Sequence, residues 1–155
     1  MTERMVQFSI FMGNKPGMLS TVCRELAKAK INIVALTMMD ASEHGVLRMI
    51  AEDPARARTT LAKLNVPMAE TGVLAVTMPN HPGAAADVCE RLSANRVKIS
   101  YLYGTTGVKG GKAIGVFKVS DVNKAMKILE AKRGTRRDMK VNLRNRQRVK
   151  TAARR

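Results

Sequence analysis

The stretch NKPG at residues 14–17 recurs as NHPG at residues 80–83, and the residues around it recur in step. When the chain is superposed on itself with a shift of 66 residues and no gap, nine positions between Met5 and Met39 are identical to their counterparts. This period is longer than a solenoid repeat and close to the size of a very small domain. The sequence therefore predicts one structural unit built twice, with the Asn-x-Pro-Gly corner as its candidate functional feature.

The residues that flank the first corner have the periodicities of a strand and a helix. Apolar residues alternate along Met5–Met12, which predicts a strand with one strongly apolar face. After the corner, apolar residues at i, i+3, i+4, i+7 and i+8 from Leu19 predict one stripe of an amphipathic helix. Pro16 suits a first helical turn, because its missing N–H would have no partner there.

The remaining segments complete the same order of elements in both copies. In the first copy we expect further strands at residues 31–39, 46–51 and 66–69, and a helix that begins at Asp53-Pro54. In the second copy we expect strands at residues 73–78, 97–103 and 113–119, a helix at residues 82–95, and a further helix capped by Ser120. Residues 141–143 could supply a last strand. The order predicts the α+β class: two tandem ferredoxin-like βαββαβ units, each an antiparallel sheet of about four strands with two helices on one face.

These elements divide the chain into a first unit at residues 1–70, a second at 71–131 and a basic tail at 132–155. The tail is expected either to be disordered or to complete part of the second unit. A unit of about 65 residues buries only a modest core. We therefore expect the two units to pack on each other and the whole chain to form a homodimer.

The chemistry-bearing residue types form no catalytic or metal-binding pattern. The two cysteines, Cys23 and Cys89, fall at matching repeat positions and are expected to be small buried core residues. Two histidines and two cysteines at unlike spacings give no metal site, and no cofactor is expected. No nucleophile motif occurs, so we do not expect an enzyme. Without a signal sequence or a long apolar run, a cytoplasmic location is expected.

The glycine-rich loop at residues 104–111 only partly resembles a phosphate-binding loop. It lacks the G-x-x-x-x-G-K-[ST] spacing, which leaves a flexible hairpin or a lid over a ligand as the interpretations. Tyr101 and Tyr103 share one face of the preceding strand. They could serve core or interface packing, or form a wall of a ligand site.

The net charge of +16 is concentrated in the tail, where 11 Lys/Arg and one acidic residue give +10. Such a run can bind polyanions by counterion release, with strong salt dependence and little sequence preference. A solvated, disordered end that aids solubility is an equally open interpretation. The candidate polyanion-binding residues are Arg136, Arg137, Arg144, Arg146 and Arg148.

A strand followed by NKPGML, an amphipathic helix and INI resembles an ACT domain, and NHPGAA with a helix and VKI resembles a second one. The resemblance covers residues 4–131, and the chain is similar to stand-alone tandem ACT proteins that have no catalytic domain. It implies a non-catalytic regulatory protein that senses a small molecule, usually an amino acid. The ligand would lie between the strand-to-helix corner of one unit and the second strand of a neighbouring unit.

The physical chemistry of the corners agrees with an amino-acid ligand. A helix N-terminus offers unpaired N–H groups and a partial positive charge to a carboxylate, and glycine lets a ligand approach the backbone. The candidate ligand-binding residues of the first corner are Asn14, Lys15, Pro16, Gly17, Met18 and Leu19. Those of the second corner are Asn80, His81, Pro82, Gly83 and Ala84. For the two asparagines, a plain Asx turn or helix cap is the alternative.

Two other functions remain open from the sequence. One is binding of nucleic acid or another polyanion. Such binding would occur through the tail, because the strands lack the aromatic motif of an RNA-binding sheet. The other is a role as assembly partner of a metabolic enzyme, which the sequence does not separate from ligand sensing.

Overall fold

The computed structural model describes residues 1–13, 15–39, 44–106, 108 and 110–131. This part of the chain forms six strands and four helices. In order they are β1 (Thr2–Gly13), α1 (Met18–Lys28), β2 (Ile33–Met39), β3 (His44–Ala51), α2 (Pro54–Ala62), β4 (Met68–Pro79), α3 (Ala84–Ala94), β5 (Ile99–Thr106), β6 (Lys112–Val119) and α4 (Val122–Glu130).

The second helix of each unit begins at an aspartate that caps it. Asp53 accepts a hydrogen bond from the backbone N–H of Arg56 at 3.0 Å, and the helix starts at Pro54, as predicted. At α4 the cap is Asp121, which accepts from the N–H of Lys124 at 2.9 Å. The prediction of Ser120 as the cap was wrong, because the Ser120 hydroxyl instead accepts a bond from the backbone of Lys98.

All six strands form one antiparallel sheet in the order β2-β3-β1-β4-β6-β5. The strands predicted at residues 66–69 and 73–78 are one continuous strand, β4. It is unbroken because Thr71 and Gly72 keep their pairing with Gln7 and Val6 of β1. The expected boundary between residues 70 and 71 falls inside this strand, and the division into domains stays a prediction.

The central strand pair relates the two units by an approximate two-fold axis. Val6 pairs with Gly72, which is its own counterpart in the repeat, and the register runs symmetrically from Thr2↔Val76 to Ile10↔Met68. Each long strand therefore serves both units. The start of β1 occupies the place beside β4 that a last strand of the second unit would fill. Residues 141–143, the other candidate for that place, lie outside the described residues.

The helices cover one face of the sheet and enclose two apolar cores. In the first unit, Phe8, Ile10 and Met12 of β1 pack beneath α1 and α2. In the second unit, Leu74 and Val76 of β4 pack beneath α3 and α4. Full burial of each such side chain stabilises the fold by about 1.5–3 kcal/mol. The predicted fold class is confirmed, with the difference that both units share one sheet.

The face without helices is concave and carries a third cluster. Its buried residues are Ala35, Ile50, Val73 and Val116, drawn from four strands of both units. The sheet curls so far that β2 and β5, its opposite edges, come within 8 Å between Cα atoms. The two units thus pack side by side in one sheet whose open face closes on itself.

The cysteines differ from the prediction. Cys23 and Cys89 are free thiols of intermediate exposure rather than buried core residues. Both lie at the margin of the apolar stripe of α1 or α3, next to the fully buried positions Val22 and Val88.

Candidate functional site

The first corner connects β1 to α1 through Lys15, Pro16 and Gly17. Gly17 is the N-cap of α1 in the left-handed conformation, with φ +92°, and no side chain caps the helix. A β-carbon added there would meet no atom within 4 Å, so glycine is required by backbone conformation and not by crowding. Asn14, the other residue predicted at this position, lies outside the described residues.

The second corner repeats this geometry. Gly83 is the N-cap of α3 with φ +91°, again with open space around it and no side-chain cap. The first N–H of each helix bonds back into its corner at 3.3 Å, from Met18 to the Lys15 carbonyl and from Ala84 to the His81 carbonyl. The following N–H groups of the first turn are those that a helix leaves without an intrahelical partner. Each corner therefore presents backbone donors to the space in front of it.

Exposure differs among the predicted corner residues. Lys15, Pro16, Gly17, Leu19, His81, Pro82 and Gly83 are exposed. Met18 and Asn80 are half-buried, and Ala84 is buried against the sheet. The corners thus combine an exposed backbone turn with one inward residue each, Met18 or Ala84, at equivalent positions of the repeat.

Asn80 is tied to the glycine-rich loop. Its backbone N–H donates to the Gly111 carbonyl at 2.9 Å, and its side-chain Nδ2 donates to the Val108 carbonyl at 3.3 Å. The N–H of Gly110 in turn donates to the Asn80 carbonyl. These bonds support the hairpin interpretation of the loop and give Asn80 the structural role of joining the second corner to that loop. Its direct role toward a ligand stays a prediction.

The two corners lie at opposite ends of the central strand pair. The first follows Gly13, beyond the pairing of Ile10 with Met68, whereas the second follows Pro79, beyond the pairing of Thr2 with Val76. At about 3.4 Å per residue, these ends are roughly 48 Å apart along the strands. A single pocket within one chain therefore does not join the two sets of predicted residues.

A cavity of about 220 Å³ lies beside the second corner. It is open to solvent on one side and is lined by Met1, the start of β1, the end of β4, the first turns of α3 and Leu129 of α4. Two predicted residues, His81 and Ala84, line it. Sequence reasoning did not anticipate the other polar residues around it, Thr2, Thr77, Asp87 and Arg91. They come from three elements that only the sheet register brings together.

A polar cluster on the concave face was also missed. Gln7 of β1 is fully buried, and its Nε2 donates to the Ser9 hydroxyl at 3.2 Å and to the Tyr101 hydroxyl at 2.8 Å. The Tyr103 hydroxyl donates to Gln7 Oε1 at 3.1 Å, and the Arg48 guanidinium stacks on the Tyr101 ring at 4.2 Å. These contacts join β5 of the second unit to strands of the first.

The environment of this cluster keeps the Tyr103 hydroxyl in its neutral form. Burial raises the pKa of Tyr103 well above its usual range, and the neighbouring Tyr101 acts in the same direction. Tyr103 therefore remains a protonated donor to Gln7. Of the two interpretations given for the tyrosines, the described contacts correspond to packing between the units.

The other functional predictions meet the structure only in part. In the described part of the chain, no group of three or more His, Cys, Asp or Glu residues is placed to hold a metal ion. No helix formed by the described residues has the length and apolar character needed to cross a bilayer. Arg136, Arg137, Arg144, Arg146 and Arg148 lie outside the described residues, so polyanion binding by the tail stays a prediction.

Comparison with known proteins places this architecture in a family. A family model described as an ACT domain pair matches residues 1–138. Protein BT0572 from Bacteroides thetaiotaomicron, a solved structure, is 35% identical with a TM-score of 0.78, and the match covers 84% of this chain and 90% of that one. A search of curated proteins gave no match.

Two aspartate kinase structures share the fold at lower identity. The regulatory subunit of aspartate kinase from Thermus thermophilus, in its ligand-free form, is 10% identical with a TM-score of 0.59, and the match covers 82% of this chain and 93% of that one. Aspartate kinase from Synechocystis is 18% identical with a TM-score of 0.57, and the match covers 84% of this chain but 25% of that one. At these identities the likeness concerns the fold alone.

Proposed function

The chain belongs to the ACT domain family, as a pair of such domains, and we propose that it is a regulatory protein that binds an amino acid. ACT domains are regulatory, non-catalytic modules, so the family supplies the regulatory part of this proposal. The amino acid, the place where it binds and the absence of catalysis in this chain are the parts that need their own argument.

The observation that carries the proposal is the pair of uncapped helix starts. Helices α1 and α3 both begin at a left-handed glycine, without a side-chain cap and with open space in front. Backbone donors and the helix dipole together favour an anion there by about 0.3–1 kcal/mol. An α-carboxylate is an anion of suitable size. The proposal therefore places the carboxylate of an amino acid at one or both corners.

Regulation would follow from the effect of the ligand on assembly. A ligand shifts an equilibrium between two arrangements only as far as it binds one of them more tightly. In Thermus thermophilus, the regulatory subunit of aspartate kinase has this architecture on a chain of similar extent. By analogy with it, we propose that this chain controls an enzyme carried on a separate chain in the cytoplasm.

A homodimer is the assembly that we propose. Leu36 of β2 and Leu102 of β5 occupy equivalent repeat positions on the two edge strands and are 45% and 49% exposed. Apolar side chains on unpaired edges favour association with another copy. Light scattering of the purified protein should give twice the chain mass. The double variant with Leu36→Glu and Leu102→Glu should give the monomer mass. A wild-type protein that is monomeric at tens of micromolar would contradict the proposed homodimer.

The test of amino-acid binding is a thermal-shift screen against the twenty amino acids. A ligand at 100 times its dissociation constant should add about 2.7 kcal/mol to the free energy of unfolding. Gly17→Val and Gly83→Val replace the glycine of one corner each, and loss of the shift in either variant identifies the corner that binds.

Two matched controls separate binding from strain. Lys30 and Arg96 have positive φ values of 54° and 57° at the opposite ends of the same helices. Lys30→Val and Arg96→Val therefore introduce comparable backbone strain away from the corners and should retain the shift. If no amino acid shifts the wild-type protein, amino-acid sensing is excluded.

A further inference from the structure

The two-fold relation between the units gives the cavity of about 220 Å³ an equivalent position in the first unit. In the cavity, Ala84 stands at the start of α3 and Thr2 at the start of β1. The repeat places Met18 and Met68 at these positions in the first unit. Both methionines pack against the first core cluster. The first unit thus has longer side chains where the second unit has a cavity.

Burial of the surrounding core residues follows the same difference. Met12 is 2% exposed, whereas its counterpart Met78 is half-buried and lines the cavity. Beyond the hairpin that follows β2 or β5, which is two residues longer in the second unit, counterparts are 68 residues apart. Leu61 of α2 is fully buried, whereas its counterpart Leu129 of α4 is half-buried and also lines the cavity. The second unit therefore leaves open a space that the same backbone fills in the first.

The lining of the cavity combines an apolar floor with both signs of charge. Val76 and Val88 are nearly buried and give the floor. Asp87 and Arg91 also line the cavity and lie four residues apart on α3, which places them on one face of the helix. The Arg91 guanidinium is positioned by donating to the carbonyls of Ile128 and Ala131 at the end of α4.

The size of the cavity restricts what it can hold. An apolar cavity of about 150 Å³ accommodates benzene, whereas pockets for drug-sized ligands run from about 300 Å³ upward. A space of about 220 Å³ lies between these limits and is far larger than a single water molecule needs. A small amino acid has the matching combination of a carboxylate, an ammonium group and a short apolar side chain.

We propose that this cavity of the second unit is the amino-acid site, and that it takes a small aliphatic amino acid. The carboxylate lies against the N–H groups at the start of α3, the ammonium group toward Asp87, and the side chain enters the floor formed by Val76 and Val88. The first unit keeps the fold of the site but is filled by Met18 and does not bind. This inference rests on the proposed function and narrows it to one unit and one ligand class.

The test fills the cavity with the residue that the first unit uses. Ala84→Met copies Met18 into the second unit, and Ala86→Met makes the same change at an exposed position of the same helix. Equilibrium dialysis of the full chain against glycine, alanine, valine and leucine measures the dissociation constants. We expect Ala84→Met to weaken the tightest of these by about tenfold or more, since the added side chain occupies the ligand's space, and Ala86→Met to leave it unchanged.

Two further arms keep the proposal falsifiable. If Ala84→Met does not fold, Thr2→Met fills the cavity from the strand side by copying Met68, and it should weaken binding in the same way. The valine analogues 3-methylbutanoate and 2-methylpropan-1-amine each lack one charged group and should each bind more weakly than valine, because Asp87 or the start of α3 loses its partner.

The outcomes separate this inference from the proposed function. Binding that persists in Ala84→Met and in Thr2→Met but is lost in Gly17→Val would overturn the cavity and leave amino-acid sensing intact. Tight binding of only large or charged amino acids from the full set of twenty would overturn the ligand class. Failure of all twenty to bind the wild-type chain would overturn both proposals.

Discussion

The first and second units have the same backbone and different interiors. Their corner glycines have nearly the same backbone conformation, with φ values of +92° and +91°, and both second helices begin at a capping aspartate. Yet Leu61 is fully buried in the first unit while Leu129 is half-buried beside a cavity in the second. The comparison teaches that the repeat preserves the turns that define the fold, whereas a few side-chain lengths decide which copy has room for a ligand.

The concave face shows a second difference of the same kind. Gln7, Tyr101 and Tyr103 meet in a hydrogen-bonded cluster. The repeat puts Val73, Ala35 and Thr37 at the equivalent positions, and Val73 and Ala35 belong to an apolar cluster. One half of the face is therefore joined by directed hydrogen bonds and the other by apolar contact. The directed half fixes how the units meet.

The largest expected effect tests whether the two interiors differ in packing. Leu61→Ala should lower the free energy of unfolding by about 2–5 kcal/mol, the usual cost of removing a buried leucine. Leu129→Ala should cost clearly less, because Leu129 already borders open space. Urea unfolding of both variants measures the two losses. Equal losses would mean that the second unit is packed as fully as the first.

The next effect tests the polar cluster. Gln7→Leu should cost about 1–3 kcal/mol, because it leaves the half-buried hydroxyls of Tyr101 and Tyr103 without their partner. Tyr103→Phe should cost about 0.5–1.5 kcal/mol. Chemical unfolding of the single variants and of the double variant gives their coupling. The double variant should lose less than the sum, and losses that add within about 0.3–0.5 kcal/mol would show that the two residues do not interact.

A smaller effect tests the feature that the units share. Gly17→Ala and Gly83→Ala should each cost about 1–2 kcal/mol, because both positions hold a left-handed backbone that other residues adopt only with strain. Since the open space around both is the same, the two losses should be equal in thermal unfolding. A loss at one corner only would show that the corners differ in backbone as well as in filling.

The smallest effect concerns an ion pair in the first unit. Arg58 donates to both carboxylate oxygens of Glu70, at 2.5 and 2.7 Å, whereas Met126 is the counterpart of Arg58 in the second unit. The hydrogen bond from Arg58 lowers the pKa of Glu70 below its ordinary value of 4.5. Its contribution is therefore present above pH 4.5 and lost as the pH falls through the lowered pKa. The stability difference between wild type and Glu70→Gln should be small at pH 7 and smaller at pH 3, and growth of that difference in acid would contradict the pairing.

Much of the fold could be predicted because short stretches of sequence determine its helices, strands and turns. The apolar stripe of α1, the Asp53-Pro54 helix start and the repeated corner are each visible within a dozen residues. The prediction of Ser120 as the cap was wrong because Asp121 follows it directly, and serine and aspartate are both good capping residues. The ungapped repeat did not correct it, because two extra residues between β5 and β6 shift the counterpart of Asp53 from residue 119 to Asp121.

The candidate site was harder to predict because its parts meet only through long-range pairing. Gln7 reaches tyrosines more than ninety residues away, and nothing near it in sequence marks it as buried. The cavity needs the start of β1, the end of β4 and α3 together, which follows from the register of Thr2 with Val76. One local signal was available: the superposed repeat sets Ala84 opposite Met18.

The central claim is that two nearly identical corners give one binding site, and calorimetric titration of the full chain with the tightest-binding aliphatic amino acid tests it most directly. We predict one molecule bound per chain, with Ala84→Met removing the heat of binding. Two equivalent molecules per chain would contradict the difference between the units, and no heat or stabilisation with any amino acid would contradict the sensing function itself.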